Sequence, residues 1–272
     1  MKYLQNLHTH TTCCDGRNTP AELLDIAIAK GFDSIGFSGH SANRHSKAYT
    51  HITRETTAAY KNEINRLKKE YEGRIKVYLG LEFEMLSDDD LSGLDYTIGS
   101  VHYLETPKGV VGFDGSVQTF ENVINGYFGG DGMAFVRCYY EHIARLPEHY
   151  AFDIVGHFDL CYKHGKNAVF YDVNSKEYRD CAVSAIEAIA GKIPYFEVNT
   201  GCIPRGYKDV PYPLPFIIKE MKRCGIGAVI TSDCHNAEYL DAGFSDAEKI
   251  LKECGYNEVY VLTDCGFEPM EI

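Results

Sequence analysis

The sequence predicts an α/β fold in which parallel strands close into a barrel. Seven short apolar runs that end in polar or glycine-rich turns alternate with segments of helical periodicity. This repetition indicates a parallel sheet with right-handed crossovers. Seven or eight such units favour a barrel over an open sheet, and no Gly-x-Gly-x-x-Gly pattern follows the first run.

The first helix carries the clearest local signals. Thr19 is a preferred N-cap residue, Pro20 suits the first helical position, and Gly31 is a typical C-cap. The predicted strands cover residues 3–8, 34–38, 75–81, 96–101, 152–156, 194–199 and 226–231, with a late strand at 259–262. The predicted helices cover residues 21–30, 53–71, 132–146, 175–190, 214–224 and 245–253.

Residues 105–132 form the longest stretch without an assignment, and they are rich in glycine and aromatic side chains. A loop of this length is typical of a lid or a binding loop, although an irregular packed insertion fits nearly as well. The sequence shows no linker, repeat or low-complexity segment. We therefore expect one domain over residues 1–272 with an insertion around residues 105–132.

Composition excludes several classes of function. The formal net charge is -12, so the chain lacks the basic footprint of a protein that binds nucleic acid or an anionic membrane. No signal peptide pattern and no apolar run of membrane-spanning length occurs, which favours the cytoplasm. The ten cysteines contain no Cys-x-x-Cys pair. We expect reduced thiols rather than a disulfide framework or a zinc ribbon.

Potential metal ligands follow the predicted strands. Because the carboxyl ends of parallel strands converge on one rim of a barrel, these side chains are expected to meet there. A single histidine after a strand is more often a hydrogen-bonded loop residue than a ligand. Potential ligands at the same position after all seven strands are much less probable by chance. The residues at the seven strand ends are His8 and His10, His40, Glu82, His102, His157, Glu197 with Asn199, and Asp233 with His235.

Six imidazoles and the carboxylates of Asp15, Glu82 and Asp233 make a mixed nitrogen and oxygen donor set. Such a set suits zinc, manganese or iron better than calcium or magnesium. Nine ligands exceed the need of one tetrahedral ion, so two or three ions are expected, with zinc favoured. No serine nucleophile elbow or phosphate-binding P-loop appears, and Cys234 is interpreted as a packing thiol.

Five other histidines fall in predicted loops or helices and are interpreted as surface residues. They are His45, His51, His142, His149 and His164. Of these, His45, His51 and His164 are minor candidates for contact with a substrate.

Taken in order over the whole chain, the motifs H-T-H…D-G, S-G-H, G-L-E, S-V-H, G-H-x-D, E-x-N-T and S-D-x-H resemble the PHP (polymerase and histidinol phosphatase) superfamily. The length of the chain, and the insertion after Ser100-Val101-His102, are similar to the stand-alone histidinol-phosphate phosphatases. The resemblance implies a distorted seven-stranded (β/α) barrel of the TIM-like, PHP type, with a trinuclear metal site at the C-terminal rim.

The resemblance also implies how the ligands are shared. Glu82 would bridge the first and second ions, and Glu84 is its rival because it lies on the same face of the strand. The implied ligands are His8, His10, Glu82 and Asp233 for the first ion, Glu82, His102 and His157 for the second, and Asp15, His40 and His235 for the third.

Two departures from the family pattern concern the partners of these ligands. Gly39 stands where an acidic residue often precedes His40. No arginine follows Gly156-His157-Phe158-Asp159, and the nearest basic residue is Lys163. Arg205 matches a phosphate-binding arginine of the family, although an ordinary exposed arginine fits about equally well. Asn199 is a further candidate for the phosphate.

The resemblance implies a phosphomonoesterase that acts on L-histidinol phosphate through a metal-bridging hydroxide. The proton for the leaving group could come from Asp159, His235 or a metal-bound water. Glu84, Asp114 and Glu197 are candidates for contact with the cationic substrate. A small phosphorylated metabolite is thus the expected partner, with neither nucleic acid nor membrane. The alternatives are another small phosphoester or nucleotide, or a catalytically idle metal-binding module.

Overall fold

The computed structural model describes residues 3–45 and 52–272, in which strands and helices alternate. The strands are β1 (Gln5–Asn6), β2 (Ser34–Phe37), β3 (Lys76–Glu84), β4 (Tyr96–Ser100), β5 (Tyr103–Thr106), β6 (Gly109–Gly112), β7 (Ile154–Val155), β8 (Tyr195–Asn199), β9 (Gly227–Thr231), β10 (Glu258–Thr263) and β11 (Gly266–Glu271). The helices are α1 (Pro20–Ala29), α2 (Arg54–Glu70), α3 (Val117–Phe128), α4 (Gly132–His149), α5 (Lys176–Ile189), α6 (Pro215–Arg223) and α7 (Phe244–Glu253).

Capping residues fix where several helices begin. The hydroxyl of Thr19 accepts a hydrogen bond from the backbone N–H of Glu22, whose carboxylate accepts one from the N–H of Thr19. Thr53 and Ser175 cap α2 and α5 in the same position, one residue before each helix. The six predicted helices match α1, α2 and α4 to α7 within a few residues, and these caps fix where α1, α2 and α5 begin.

Seven parallel strands form one sheet in the order β1, β2, β3, β4, β7, β8, β9. The sheet closes just beyond β1 and β9, where the backbone N–H of His10 donates to the carbonyl of Cys234 at 2.8 Å. The N–H of Cys234 in turn donates to the carbonyl of His8 at 3.0 Å. The predicted seven-stranded barrel is confirmed.

A small apolar cluster fills the barrel, and a larger one lies between the sheet and the helices. Tyr96 is one of the two tyrosines of the inner cluster, and its hydroxyl donates to the carbonyl of Leu7. The antiparallel hairpin β10–β11 contacts β1, because Gln5 exchanges two side-chain hydrogen bonds with the backbone of Leu262. The inner cluster contains Leu7, Tyr78, Tyr96, Ile98, Ile154, Val229 and Leu262.

The insertion at residues 105–132 is more regular than the sequence interpretation allowed. It contains most of the hairpin β5–β6 and the whole of α3. The α3 helix begins after Ser116, whose hydroxyl accepts from the N–H of Thr119, and it ends at Gly129 with φ 64°. Its buried residues Phe120, Val123 and Ile124 repeat at helical spacing. Neither an unstructured lid nor an irregular packed segment describes it.

Within residues 3–45 and 52–272, no helix is both long enough and apolar enough to cross a membrane.

Replacing Gly80 by alanine should destabilise the barrel by about 1–3 kcal/mol, because a Cβ at Gly80 would overlap the buried ring of Tyr96. The free energy of unfolding in urea measures the effect. Gly126→Ala is the matched control: it lies in α3 with no atom within 4 Å of the added methyl, and it should gain up to about 1 kcal/mol. Equal stability of the two variants would contradict the packing described for Tyr96.

Candidate metal centre

The closure of the barrel brings the first and last ligand motifs together. His8 and His10 follow β1, and the backbone pairing with Cys234 places Asp233 beside them. Asp233 has φ 47°, in the left-handed region that non-glycine residues rarely adopt. Such backbone strain persists where the surrounding structure requires it, often at a functional site.

Four buried atoms converge beside this closure. Nε2 of His8 lies 3.5 Å from Oε2 of Glu82 and 3.7 Å from Oδ1 of Asp233. Nε2 of His10 lies 3.5 Å and 3.2 Å from the same two oxygens. Ligands about 2.1 Å from a tetrahedral ion are separated by about 3.4 Å, so these separations fit one metal ion.

The other oxygen of Glu82 contacts a second pair of histidines. Oε1 lies 3.3 Å from Nε2 of His102 and 3.0 Å from Nε2 of His157, and the two rings are 3.2 Å apart at these nitrogens. One carboxylate therefore faces two groups of imidazoles through its two oxygens. This is the bridging position that the sequence analysis assigned to Glu82.

A third group surrounds Asp15. Oδ2 of Asp15 lies 3.1 Å from Nε2 of His235 and 3.6 Å from Nε2 of His40, and Oδ1 lies 3.4 Å from Nδ1 of His10. Nδ1 of His40 is 2.8 Å from Oε2 of Glu82. The structure thus brings together all nine sequence-predicted ligands, with His10 and His40 each facing two of the groups.

The buried polar atoms of the site provide a test of whether metal ions fit. Among the described residues, Nε2 of His8, Nε2 of His10, Oδ1 of Asp15 and Oε2 of Glu82 have no hydrogen-bond partner. Buried nitrogen and oxygen atoms without partners are costly, and cations bound by these groups would satisfy them. The donor set of imidazole and carboxylate is that of zinc, manganese or iron. The residues present fit divalent transition-metal ions.

Two further glutamates hold the imidazoles in place. Glu197 accepts from Nδ1 of His8 at 2.8 Å and from the backbone N–H of His157 at 2.5 Å. Glu84 lies 3.0 Å from Nδ1 of His102 and also accepts from its backbone N–H at 2.7 Å. Such partners fix the orientation of a ligating histidine and make it a better ligand. Glu84 therefore contacts His102 alone among the predicted ligands, whereas Glu82 lies between two groups of histidines.

The model of the PHP domain matches residues 6–201. The chain belongs to the PHP family. The matched range includes Glu82 and the ligands on either side of it, whereas β9 and the ligands Asp233 and His235 lie beyond it.

Relatives named for one activity match this PHP chain over almost its whole length. A protein of Deinococcus radiodurans named "Probable histidinol-phosphatase" is 28% identical over 94% of this chain and 95% of its own. The histidinol-phosphatase of Bacillus subtilis is 27% identical over 91% of this chain and 98% of its own. The crystal structure of histidinol phosphate phosphatase from Lactococcus lactis, complexed with zinc, L-histidinol and phosphate, aligns with TM-score 0.71 at 20% identity, covering 97% and 98% of the two chains.

Opposite charges keep the ligands of the PHP centre ionised. Burial lowers the pKa of His8, but Glu197, Glu82 and Asp233 outweigh burial and raise that pKa to about 10. Burial raises the pKa of Glu82, but the neighbouring imidazoles hold it well below its usual range. The carboxylates are therefore charged at neutral pH and available to a cation.

A cavity of about 830 Å³ opens over the ligands. Arg205 lines it, and the guanidinium donates to Oδ2 of Asp233 at 2.8 Å while its Nε donates to the carbonyl of Gly201 at 2.7 Å. Lys163 also lines the cavity, with its ammonium 2.5 Å from Oδ1 of Asp114. Both cations predicted for the phosphate thus lie on the cavity wall, and neither is an ordinary exposed residue.

Two sequence-predicted site residues lie beneath the cavity instead. The amide of Asn199 donates to Oε1 of Glu197 at 2.9 Å and accepts from the N–H of Gly201 at 3.0 Å, so both ends of this buried side chain are used within the protein. Asp159 is fully buried and faces Lys208. Neither Asn199, predicted to contact phosphate, nor Asp159, predicted as a proton donor, lines the cavity.

Glu197 was predicted as a candidate substrate contact, but it is fully buried among His8, Asn199 and Thr231. Its role beneath the ligands was missed in the sequence. The signal was its strand phase: Glu197 and Asn199 alternate by two residues in β8 and so point toward the same side. When two polar residues at the end of a strand point to the same side, one can hydrogen-bond to the other instead of binding a metal ion or substrate.

The five remaining histidines divide between cavity, interior and surface. His45 lines the cavity, whereas His51 lies outside the described residues. His142 and His164 are buried, so their interpretation as surface residues was wrong. His142 accepts from the N–H of Glu105 at 2.9 Å and His164 donates to the carbonyl of Gly115 at 2.8 Å. Their burial follows from the packing of the insertion.

Gly39 and Cys234 have packing roles. A Cβ at Gly39 would begin 3.2 Å from Sγ of Cys14, which lies 3.5 Å from Nδ1 of His10. The absence of an acidic residue before His40 therefore leaves room for Cys14. Cys234 is buried and burial raises its pKa to about 11, as expected of a packing thiol.

Metal binding to the chelator-treated protein should release protons at pH 7. Acidic neighbours raise the pKa of His8 to about 10 and, against burial, Glu82 and Asp15 raise that of His40 to about 9, so both rings hold a proton at pH 7 when no metal is bound. A ligating imidazole must be neutral, and apparent affinity should therefore fall as pH falls.

Titration calorimetry with zinc in buffers of different ionisation enthalpy measures the number of protons released. His149→Ala, at an exposed histidine that ends α4 and is not one of the nine predicted ligands, is the control and should release the same number. A signal that does not depend on the buffer would contradict the charge state assigned to the site.

Proposed function

We propose that this protein hydrolyses L-histidinol phosphate to L-histidinol and phosphate. The observation that carries the proposal is the convergence of nine predicted ligand side chains, seven of which line one cavity together with Arg205. The near full-length matches to proteins named histidinol-phosphatase support the same activity. The protein is accordingly a phosphoric monoester hydrolase.

The proposed cofactors are two or three divalent ions, with zinc favoured over manganese or iron. The ligands would be His8, His10 and Asp233 with Glu82 for one ion, Glu82 with His102 and His157 for another, and Asp15, His40 and His235 for a third. Bound ions would lower the pKa of a water to about 7 and would offset the charge of the phosphoryl oxygens.

The protein's own residues position the phosphate. Arg205 is oriented by Asp233 and Gly201, so its planar guanidinium is held at the rim of the ligand site, where it can donate two parallel hydrogen bonds to phosphoryl oxygens. Lys163 supplies a second positive charge on the same cavity. Burial and the neighbouring His10 lower the pKa of His235, so at neutral pH this ring suits a ligand better than an acid.

Hydrolysis breaks the bond between phosphorus and the ester oxygen, adds a water oxygen to phosphorus, and requires one proton for the departing alkoxide. Asp159 is enclosed and His235 belongs to the ligand set, so we assign that proton to a water of the cavity. The organic part of the substrate would lie against the outer wall, where Tyr103, Tyr127 and Asp114 offer aromatic faces and a carboxylate to the cationic group.

We further propose one PHP-type domain over residues 1–272, because β9, beyond the matched range, supplies the strand that closes the barrel. The proposed partner is a small phosphorylated metabolite rather than a nucleic acid, in keeping with the net charge of -12. A cytoplasmic location fits the ten cysteines, none of which forms a disulfide, since thiols stay reduced there.

A panel of substrates tests the activity. The metal-loaded protein should cleave L-histidinol phosphate with kcat/KM about 100-fold above that for p-nitrophenyl phosphate, because matched contacts to a cationic group are each worth about 1.5–3 kcal/mol. Adenosine monophosphate and a phosphodiester complete the panel. Equal rates on L-histidinol phosphate and the generic ester would contradict the proposed substrate and favour another small phosphoester. Absent turnover of every ester in the metal-loaded protein would indicate an idle module.

Ligand variants show whether the described site is responsible. Asp233→Asn and His157→Ala should each reduce turnover to background, since each removes a donor that this arrangement needs, while far-UV circular dichroism stays near that of the unaltered protein. His149→Ala is the matched histidine control and should keep full activity. Retained turnover in both ligand variants would place the active site elsewhere.

Replacing Arg205 tests the phosphate contact. Arg205→Gln should raise the Ki of inorganic phosphate and lower kcat/KM by about 10- to 100-fold, which corresponds to the loss of hydrogen bonds to a charged group. Arg205→Lys keeps the charge but not the planar fork, and should recover only part of the loss. Inhibition kinetics with phosphate measure the effect, and metal content is determined in parallel because Arg205 also contacts Asp233. An unchanged Ki in Arg205→Gln would exclude the contact.

A further inference from the structure

A buried ion pair lies behind the cavity wall, outside the set of ligands. Nζ of Lys208 is 3.4 Å from Oδ2 of Asp159, and the two residues are 2% and 0% exposed. Burying two opposite charges costs several kcal/mol per ion, and their attraction often fails to recover that cost. A contribution to stability therefore does not explain why this pair is buried.

Lys208 is enclosed by two aromatic rings. Its ammonium lies 4.2 Å from the ring centre of Tyr212 and 5.3 Å from that of Tyr162. A cation near the faces of aromatic rings is attracted to them, and the attraction increases when water is excluded. Tyr162 follows β7 and Tyr212 follows β8, so Lys208 joins the segments that leave two neighbouring strands.

Asp159 holds the far end of the same segment. Its Oδ2 also accepts a hydrogen bond from the backbone N–H of Leu214 at 3.1 Å, one residue before α6. Asp159 thereby contacts residues 208 and 214 of the loop that runs from 200 to 214 between β8 and α6. Backbone hydrogen bonds between Tyr212 and Asn199, at 2.8 and 2.9 Å, join the two ends of the loop.

The loop at residues 200–214 carries much of the cavity wall. Arg205, Tyr207 and Tyr212 all line the cavity, whereas Lys208 and Asp159 do not. Arg205 precedes Lys208 by three residues, so a displacement of Lys208 would move the guanidinium relative to Asp233. A contact that fixes this loop fixes the position of Arg205 above the ligands.

We propose that the Asp159–Lys208 pair positions the loop at residues 200–214 so that Arg205 reaches the phosphoryl group. The inference rests on the proposed function, in which Arg205 binds that group. Asp159 and Lys208 are then positioning residues that act through Arg205, and Asp159 transfers no proton. Removing the pair should weaken phosphate binding more than it slows the chemical step.

The variant that tests this role is the double substitution Asp159→Asn with Lys208→Met. Removing one partner leaves an uncompensated buried charge and is expected to lower Tm, whereas removing both is frequently tolerated. Lys166→Met is the matched control. The ion pair of Lys166 with Asp209, at 2.5 Å, also joins the loop to the segment after β7, but it lies at the surface with the lysine 49% exposed.

In the metal-loaded double variant, the Ki of inorganic phosphate and the KM of a cleaved phosphomonoester should each rise about 10-fold, while kcat and metal content change by less than about two-fold. Adding Arg205→Gln should cost much less in the double variant than in the unaltered protein, because the two changes remove the same contact. Lys166→Met should leave all these quantities unchanged.

Three results would overturn the proposal. The first is a phosphate Ki in the double variant equal to that of the unaltered protein. The second is an Arg205→Gln effect of full size in the double variant, which would make the pair merely structural. The third is loss of one limb of the pH–rate profile in Asp159→Asn, which would make Asp159 a proton donor. The phosphate Ki can be measured with any ester that is turned over, so a failure here is distinct from a failure of the proposed substrate.

Discussion

Two backbone hydrogen bonds between the segments after β1 and β9 close the barrel, and the metal centre depends on them. They join His8 and His10 to Cys234, residues separated by more than 220 positions in the sequence. Without this closure, Asp233 would not meet the two histidines. The left-handed backbone of Asp233 belongs to the same turn, so backbone strain is accepted at the place where the ligands must converge.

Concentrated charge is the second constraint on the site. Glu82 faces imidazoles through both oxygens, and Glu197 and Glu84 support the same rings from behind. Each carboxylate is tolerable in the interior because opposite charges and hydrogen bonds surround it. Nε2 of His8 and Nε2 of His10, which lack hydrogen-bond partners, both lie within 3.7 Å of Oε2 of Glu82 and Oδ1 of Asp233. A set of cations would complete this arrangement, which explains why acidic and imidazole groups can share so small a volume.

The cavity wall is built by different means. Residues 200–214 and the insertion add no strand to the seven-stranded sheet, so isolated backbone hydrogen bonds, such as those between Tyr212 and Asn199, and side-chain contacts hold them. Lys163 with Asp114 and His164 with the carbonyl of Gly115 join the insertion to the segment after β7. Asp159 with Lys208 joins the other wall. The predicted ligands and the cavity wall are thus held by different sets of contacts, and they meet where Arg205 contacts Asp233.

The sequence by itself determined the alternation of strands and helices. It also determined the nine predicted ligand side chains at or just after the strand ends. The strands, the helices and the positions of these side chains all follow local patterns with a fixed period. The sequence also contained the signals of α3, namely Ser116, the spacing of Phe120 with Val123 and Ile124, and Gly129, although the assignment overlooked them. Only the tertiary structure decided that Asn199 and Asp159 lie beneath the cavity, that His142 and His164 are buried, and that Glu82 rather than Glu84 lies between two groups of ligands. These outcomes depend on contacts between distant segments, and no local periodicity encodes which neighbour a polar side chain will meet.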